Sequence, residues 1–381
     1  MGVYKQGIVL FAHDYFLNVN DNRLSDVMYL IKLICWSVIN MRDLLFIIFC
    51  LLYAPSLLAR PSFAETLALS HSVVMITTQL PNGQNGRGSG VVVSKEYVAT
   101  NCHVVANANG ANVAKFRDAY QPKAIKADWK RDLCLLKFDD LPFNPVQMRD
   151  STSLEYEEEV FSIGFPIGQN VPQPSYGTIK AKYAYGGGGG EIIRSTAEFA
   201  MGSSGGALFD EQFNLIGITT FKSPGVKGYF YHLPVEWIKE LMDAPETQSL
   251  ATNEIPFWAV PLEERPPFMR VVIPYQNAEW KTLKAIAEEW TRKEPTSPDA
   301  WYYLGVAEEG IGLLTEAKQH LNKAVEINAR ELDAMVALSR VAYLQKDIRV
   351  LEALQVSVSA IDTVDADEIS NKIQQLKSGQ D

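Results

Sequence analysis

The stretch Phe199-Ala-Met-Gly-Ser-Ser-Gly-Gly-Ala-Leu-Phe209 decides how this chain is read. At its centre lies Gly202-Ser203-Ser204-Gly205-Gly206. A serine held among glycines on a tight turn can expose its hydroxyl and turn its own N–H outward. The glycines admit unusual backbone angles and let another backbone come close. That suits a nucleophile with a built-in oxyanion hole made by the N–H groups of Gly202 and Ser204. A serine-glycine cluster alone is also what a flexible turn looks like. The rest of the chain must therefore supply a base and a group to orient it.

Upstream runs Gly88-Ser-Gly-Val-Val-Val-Ser-Lys-Glu-Tyr-Val-Ala-Thr-Asn-Cys-His-Val-Val105, two β-rich runs about a short turn, the second ending on His103. Between histidine and serine comes Asp132-Leu-Cys-Leu-Leu-Lys137, an acidic residue opening an apolar strand. Each residue alone has a bland reading, a packed histidine or a strand-start aspartate. Together the three segments resemble the trypsin-like serine proteases, in particular the bacterial periplasmic branch that includes the high-temperature-requirement proteases. The resemblance covers residues 72–242. It implies an all-β fold of two six-stranded barrels with the site in the cleft between them. Ser204 would then attack the scissile carbonyl, His103 would accept and return the proton, and Asp132 would orient the imidazole. One departure is Ser203, where the family commonly has Asn or Asp; it is read as a spacer before the nucleophile.

By spacing from Ser204, Glu198 falls where the resemblance puts the floor of the S1 pocket. A carboxylate there would favour Lys or Arg at P1, but a one-residue shift would turn Glu198 outward. Thr220, Phe221 and Lys222 lie in a strand resembling the one that pairs with substrate backbone. His232, in an apolar strand-like run, is read as structural. The five glycines at 186–190 are read as a hairpin tip between strands at 178–185 and 191–196. Cys102 and Cys134 flank the candidate base and aspartate. Within the resemblance they are either a disulfide, favoured by export to an oxidising compartment, or two buried thiols. No metal-ligand set is evident and no cofactor is expected.

With 35 Lys and Arg against 45 Asp and Glu, the net charge is −10. That gives no reason to expect nucleic-acid binding, which usually needs a basic face. The first 64 residues read as a leader. Leu44–Ala59 is an apolar run too short for a membrane span of about 20 residues, and Ser62 and Ala64 fit signal-peptidase cleavage after Ala64. Met41 stands where such a leader would begin. The expectation is a periplasmic or secreted protein, with a membrane anchor as the alternative if the leader is uncleaved.

Residues 65–243 are thus assigned to the protease domain. The Pro-, Glu- and Thr-rich stretch 244–275 reads as a linker, and 276–381 as an all-α region. There, Trp280, Leu283, Ile286, Ala287 and Trp290 share one helix face. Trp301, Leu304-Gly305, Ala317, Leu321 and Ala324 resemble the tetratricopeptide repeat of about 34 residues, with a weaker copy at Met335, Leu338 and Leu351. Arrays of that family hold peptides or partner proteins in a concave face, so a protein partner is expected there. Peptidase-domain relatives with peptide-binding modules of another kind lend no chaperone or cage role. The reading is an exported serine endopeptidase acting on protein or peptide substrates. The alternative is an inactive protease fold serving as a scaffold for its helices.

Overall fold

Short apolar runs punctuated by glycine and proline become strands here, and the change to a period near 3.6 after residue 276 marks the change to helices. A computed structural model of the chain describes residues 65, 68–69, 71–115, 118–187, 189–225 and 228–379. The expected leader, with its start at Met41 and cleavage after Ala64, lies outside the described residues.

Strands β1 (Val73–Gln79), β2 (Asn85–Val92), β3 (Tyr97–Asn101), β4 (Gly110–Lys115), β5 (Asp118–Tyr120), β6 (Ala124–Asp128) and β7 (Leu133–Lys137) form one half-barrel in the order β5-β4-β1-β2-β3-β7-β6. The resemblance implied six strands here. The additional one is β5, three residues long, which pairs only with β4 and so forms one edge while β6 forms the other. Strands β8 (Glu159–Gly164), β9 (Gln173–Ala184), β10 (Glu191–Ser195), β11 (Ala207–Asp210), β12 (Leu215–Lys222) and β13 (Phe230–Pro234) close into a six-stranded barrel in the order β10-β13-β12-β11-β8-β9. The pairing of β12 with β13 slips at Thr219/Phe221. Bulges of this kind re-aim side chains beside functional sites, and the residue at the slip is Thr220.

Beyond the barrel, helix Val235–Met242 buries Val235, Trp237, Ile238 and Leu241 against β6, β7 and β12, joining the two β units. The stretch 244–275 carries little regular structure except short helices at Pro267–Arg270 and Val272–Gln276, yet it is well anchored. Thr247 exchanges both backbone hydrogen bonds with Ile125 on edge strand β6, at 2.7 and 2.8 Å, covering an edge that would otherwise be open to pairing.

Helix pairs Pro298–Gly310 with Leu314–Ile327, and Leu332–Leu344 with Ile348–Ser359, follow Trp280–Lys293 and precede Thr363–Ser378. Corresponding helices of the two pairs begin about 34 residues apart. Gly305 is required by close approach: a Cβ there would meet Leu321 Cγ at 2.6 Å. Helix Pro298–Gly310 is apolar nearly all round, with Ala300, Tyr302, Tyr303, Leu304, Val306 and Ala307 buried, as a helix must be when it packs on both sides. One side meets its helical neighbours and the other meets the closed barrel. Tyr183 of β9 stacks on Phe268 at 4.3 Å, and Trp290 stacks on Tyr303 at 6.1 Å.

Polar pins cross the same seam. Asp299 accepts from Tyr156 Oη at 2.9 Å and Tyr183 Oη at 3.2 Å, and Arg194 donates to Tyr303 Oη at 3.1 Å. Asp299 and Arg194 approach to 3.8 Å with both side chains buried. Burial pushes the Asp299 carboxyl up to about 6, against the opposing pull of Arg194 and the two tyrosines. A buried charge that loses its partner is costly, so these groups hold the helices to the barrel in one register.

Candidate active site

His103 rides on the one-turn helix Cys102–Val105 that continues β3, and Asp132 lies immediately before β7. Because β3 pairs with β7, with Thr100 opposite Cys134, the two residues meet. Asp132 takes a left-handed φ of 61°, a conformation that short polar residues tolerate better than most. Its carboxylate is enclosed on three sides. Oδ1 accepts from the His103 backbone N at 2.8 Å, and Oδ2 faces His103 Nδ1 at 2.7 Å. Oδ2 also accepts from Trp258 Nε1 at 2.9 Å. The Asp132 side chain is fully buried, while that of His103 is 32% exposed. With Asp132 ionised, Nδ1 carries the ring proton, and neutral His103 presents Nε2 as an acceptor. The backbone carbonyl of Asp132 accepts from Cys102 N at 3.2 Å and Asn101 Nδ2 at 3.1 Å, which fixes the loop.

Cys102 and Cys134 are joined as a disulfide, with Cα atoms 4.9 Å apart. Their separation of 32 residues corresponds, on a chain-entropy model, to about 3.7 kcal/mol of stabilisation. The bond ties the helix bearing His103 to the strand that follows Asp132.

Ser204 stands at the meeting of the two β units. Its carbonyl accepts from Ser89 N of β2 at 2.7 Å, and its Oγ donates to the Thr220 carbonyl of β12 at 3.4 Å. Among the described residues no hydrogen bond joins Ser204 to His103. Asn101 Nδ2 bonds Thr220 Oγ1 at 2.9 Å, so the histidine segment and the serine's neighbour are tied directly.

The turn around Ser204 explains its glycines. Gly202 has φ of 94°, and a Cβ on it would lie 2.6 Å from the Phe165 carbonyl. Gly205 has φ of 85°, and its Cβ would lie 2.1 Å from the Ser89 carbonyl. Both positions therefore demand glycine on conformation and on space. The carbonyls of Met201 and Ser203 are engaged by Ile167 N and Gly206 N, each at 2.8 Å. In a trans peptide the N–H points opposite its carbonyl. The N–H groups of Gly202 and Ser204 are thereby turned away from those partners, and among the described residues neither has a protein acceptor. Two free, oriented donors flanking a serine can bind a developing oxyanion.

Of the remaining expected residues, Thr220 touches Ser204 and the others lie apart from it. Glu198 is exposed, and its carbonyl accepts from Ser162 Oγ at 3.0 Å. It lines a cavity of about 250 Å3 with Ser162, Gln173, Phe199 and Ser203, which Ser204 does not line. Phe221 is buried between Tyr231 at 4.6 Å and Trp258 at 5.7 Å, so its ring belongs to the core. Thr220 is buried, whereas Lys222 is exposed with Nζ 5.3 Å from the Phe230 ring centre. His232 is buried and bonds Ser195 and Thr219 at a distance from the His103–Asp132 pair. The glycine tip is tethered, since Arg131 donates to the Gly187 carbonyl at 2.8 Å.

Two contributors escaped sequence reasoning. Ser89 Oγ donates to the Gly202 carbonyl at 2.9 Å and accepts from Phe165 N at 2.8 Å, holding the serine turn from the other β unit. Its signal was a serine between Gly88 and Gly90, close to the glycine-flanked serine pair that marked Ser204. Trp258 came from a stretch read as linker, where the apolar run Ile255-Pro256-Phe257-Trp258-Ala259-Val260 was the available cue.

Residues 88–218 match the trypsin-like peptidase domain family. Among curated proteins, the chain is similar to a probable periplasmic serine endoprotease DegP-like of Ectopseudomonas mendocina, 31% identical, over 42% of this chain and 36% of that protein. It is also similar to the serine protease Do-like HtrA of Bacillus subtilis, 28% identical, over 46% and 42% respectively. The chain thus spans less than half the length of these relatives. A solved structure titled HtrA-type protease AlgW with tripeptide shares 27% identity, with a TM-score of 0.43, over 48% of this chain and 62% of that one. The chain carries a trypsin-like peptidase domain homologous to those of the DegP and HtrA serine proteases.

Proposed function

We propose that this protein is an exported serine endopeptidase that hydrolyses protein substrates through Ser204, His103 and Asp132. The observation that carries the reading is the buried Asp132 carboxylate bonded to His103 Nδ1 at 2.7 Å, tied through Asn101 and Thr220 to a serine turn whose two N–H groups are unengaged. In this reading Ser204 Oγ leaves the Thr220 carbonyl and bonds His103 Nε2 when substrate binds. Oγ then attacks the scissile carbonyl as its proton passes to Nε2, and the carbonyl oxygen becomes an oxyanion held by the Gly202 and Ser204 N–H groups. Collapse breaks the C–N bond, His103 protonates the leaving amine, and the acyl-enzyme forms. Water, deprotonated by His103, releases the acid and restores the serine.

Export to the periplasm is supported by the naming of relatives as periplasmic and by the Cys102–Cys134 disulfide. In this reading residues 1–64 are the leader, 65–243 the protease domain, 244–275 the connection and 276–381 the tetratricopeptide-like domain. Membrane attachment would arise only from an uncleaved leader; among the described residues no helix is long and apolar enough to cross a membrane. The helical domain is the surface for a substrate or a partner protein. The test is cleavage of an unfolded protein substrate by the wild type beside His103→Ala and Ser204→Ala. Cleavage lost in both variants supports the reading. Equal cleavage in all three refutes it, and none even in the wild type favours the scaffold.

A further inference from the structure

The connection between barrel and helices passes directly over the His103–Asp132 pair. Its course is pinned at successive points. Thr247 pairs with Ile125, the Leu250 carbonyl accepts from Asn107 N at 2.7 Å, and Thr252 N donates to Asn107 Oδ1 at 2.9 Å. Asn107 lies just beyond the helix that bears His103. Phe257 N then donates to the Lys130 carbonyl at 2.9 Å, two residues before Asp132, while the Phe257 ring is buried against Tyr185 at 4.5 Å. Trp258, the next residue, therefore has little freedom.

Its indole makes three contacts. Nε1 donates to Asp132 Oδ2 at 2.9 Å, the ring stands edge-on to His103 at 5.4 Å, and its face stacks on Phe221 at 5.7 Å. The same Oδ2 accepts from His103 Nδ1. One carboxylate oxygen thus receives two N–H donors that must share its lone pairs in a fixed geometry. A donor held on one side of Oδ2 restricts the carboxylate's rotation and, through it, the plane of the imidazole. The ring also covers the carboxylate, whose side chain has no solvent exposure.

We propose that Trp258 is a positioning residue of the active site: its indole N–H holds the Asp132 carboxylate in the orientation that aims His103 at Ser204. The segment 244–275 is then a strap that completes the site rather than a spacer. This rests on the assignment of His103, Asp132 and Ser204 as the catalytic groups. Trp258 touches no reacting atom; it acts through Asp132.

Trp258→Phe keeps an aromatic ring against Phe221 and His103 but removes the N–H. Trp258→Ala removes both. In the purified full chain three measurements separate the roles: the rate of fluorophosphonate labelling at Ser204, steady-state kinetics giving kcat and KM for a peptide substrate, and the thermal midpoint. For Trp258→Phe, labelling rate and kcat should fall together by about tenfold or more, the loss of a hydrogen bond to a charged group, with KM unchanged and the melting midpoint lowered only slightly. The low-field proton signal of His103 Nδ1 should move, because it shares Oδ2 with the indole. Trp258→Ala should lose more activity and also melt lower. If the wild type labels at Ser204 and Trp258→Phe labels equally fast with an unmoved Nδ1 proton, the ring only packs and the proposal is overturned alone. If the wild type shows no Ser204-dependent labelling, the catalytic assignment itself falls, and the role of Trp258 with it.

Discussion

His232→Gln is expected to remove a specific pH dependence from the stability of the closed barrel. His232 sits on β13 between Ile193 of β10 and Thr219 of β12, with no solvent exposure. Its Nε2 is 2.8 Å from Ser195 Oγ and its Nδ1 3.3 Å from Thr219 Oγ1, so both ring nitrogens have hydroxyl partners. Burial lowers its pKa from 6.5 to about 3. In the unfolded chain the imidazole takes up a proton near 6.5, while in the folded barrel it stays neutral. Over that window the unfolded state binds more protons, so stability is lost as pH falls from about 6.5 towards 3. Each tenfold difference in proton affinity between the two states is worth about 1.36 kcal/mol, so the whole effect is roughly 5 kcal/mol, of which roughly 3 kcal/mol has been lost by pH 4.5. Glutamine does not titrate; it should cost about 1–2 kcal/mol at pH 7 for imperfect hydrogen bonding. Urea unfolding of both proteins at pH 7 and 4.5 makes the comparison, since the other titrating groups cancel in the difference. The wild type's advantage at pH 7 should vanish or reverse at pH 4.5. A difference between the two proteins that is the same at both pH values would show that His232 does not stay neutral in the folded barrel while charging in the unfolded chain.

Gly202→Ala should leave a folded protein destabilised by about 1–3 kcal/mol, from the left-handed φ of 94° and the contact with the Phe165 carbonyl. Its esterase rate should drop about a hundredfold as the oxyanion donor is displaced. Asp299→Ala leaves Tyr156 and Tyr183 without their shared acceptor, while Arg194 keeps the Asp333 carboxylate at 3.5 Å. It should cost about 1–3 kcal/mol, read as a lower melting midpoint with new protease nicks between residues 244 and 275. Replacing both Cys102 and Cys134 by serine should lower stability by about 3.7 kcal/mol if chain entropy dominates, measured as a lower urea midpoint.

What could be read in advance follows from how local each signal is. Ser204, His103 and Asp132 were legible because a turn, a strand end and a strand start each carry their own residue pattern within a few positions. The helices at 298–310 and 314–327 were legible from apolar period and from Leu304-Gly305, where close packing against Leu321 leaves no room for a side chain. Trp258 was not legible, because the indole meets an aspartate 126 positions away, and no local pattern encodes that. Arg194 is a similar case. It occupies a fully buried strand run, and its partners on the helices lie more than 100 positions downstream. The seven-stranded half-barrel differs from six through β5, whose three residues are too few to show an alternation. The helices at 267–270 and 272–276 are likewise shorter than two helical turns.

The most direct measurement is fluorophosphonate labelling of the purified protein, with the modified residue located by mass spectrometry. One phosphonylated residue, Ser204, is expected, with labelling abolished in Ser204→Ala and strongly slowed in His103→Ala. Labelling elsewhere, or at a rate indifferent to His103, would contradict the assignment of Ser204 as a nucleophile activated by the His103–Asp132 pair.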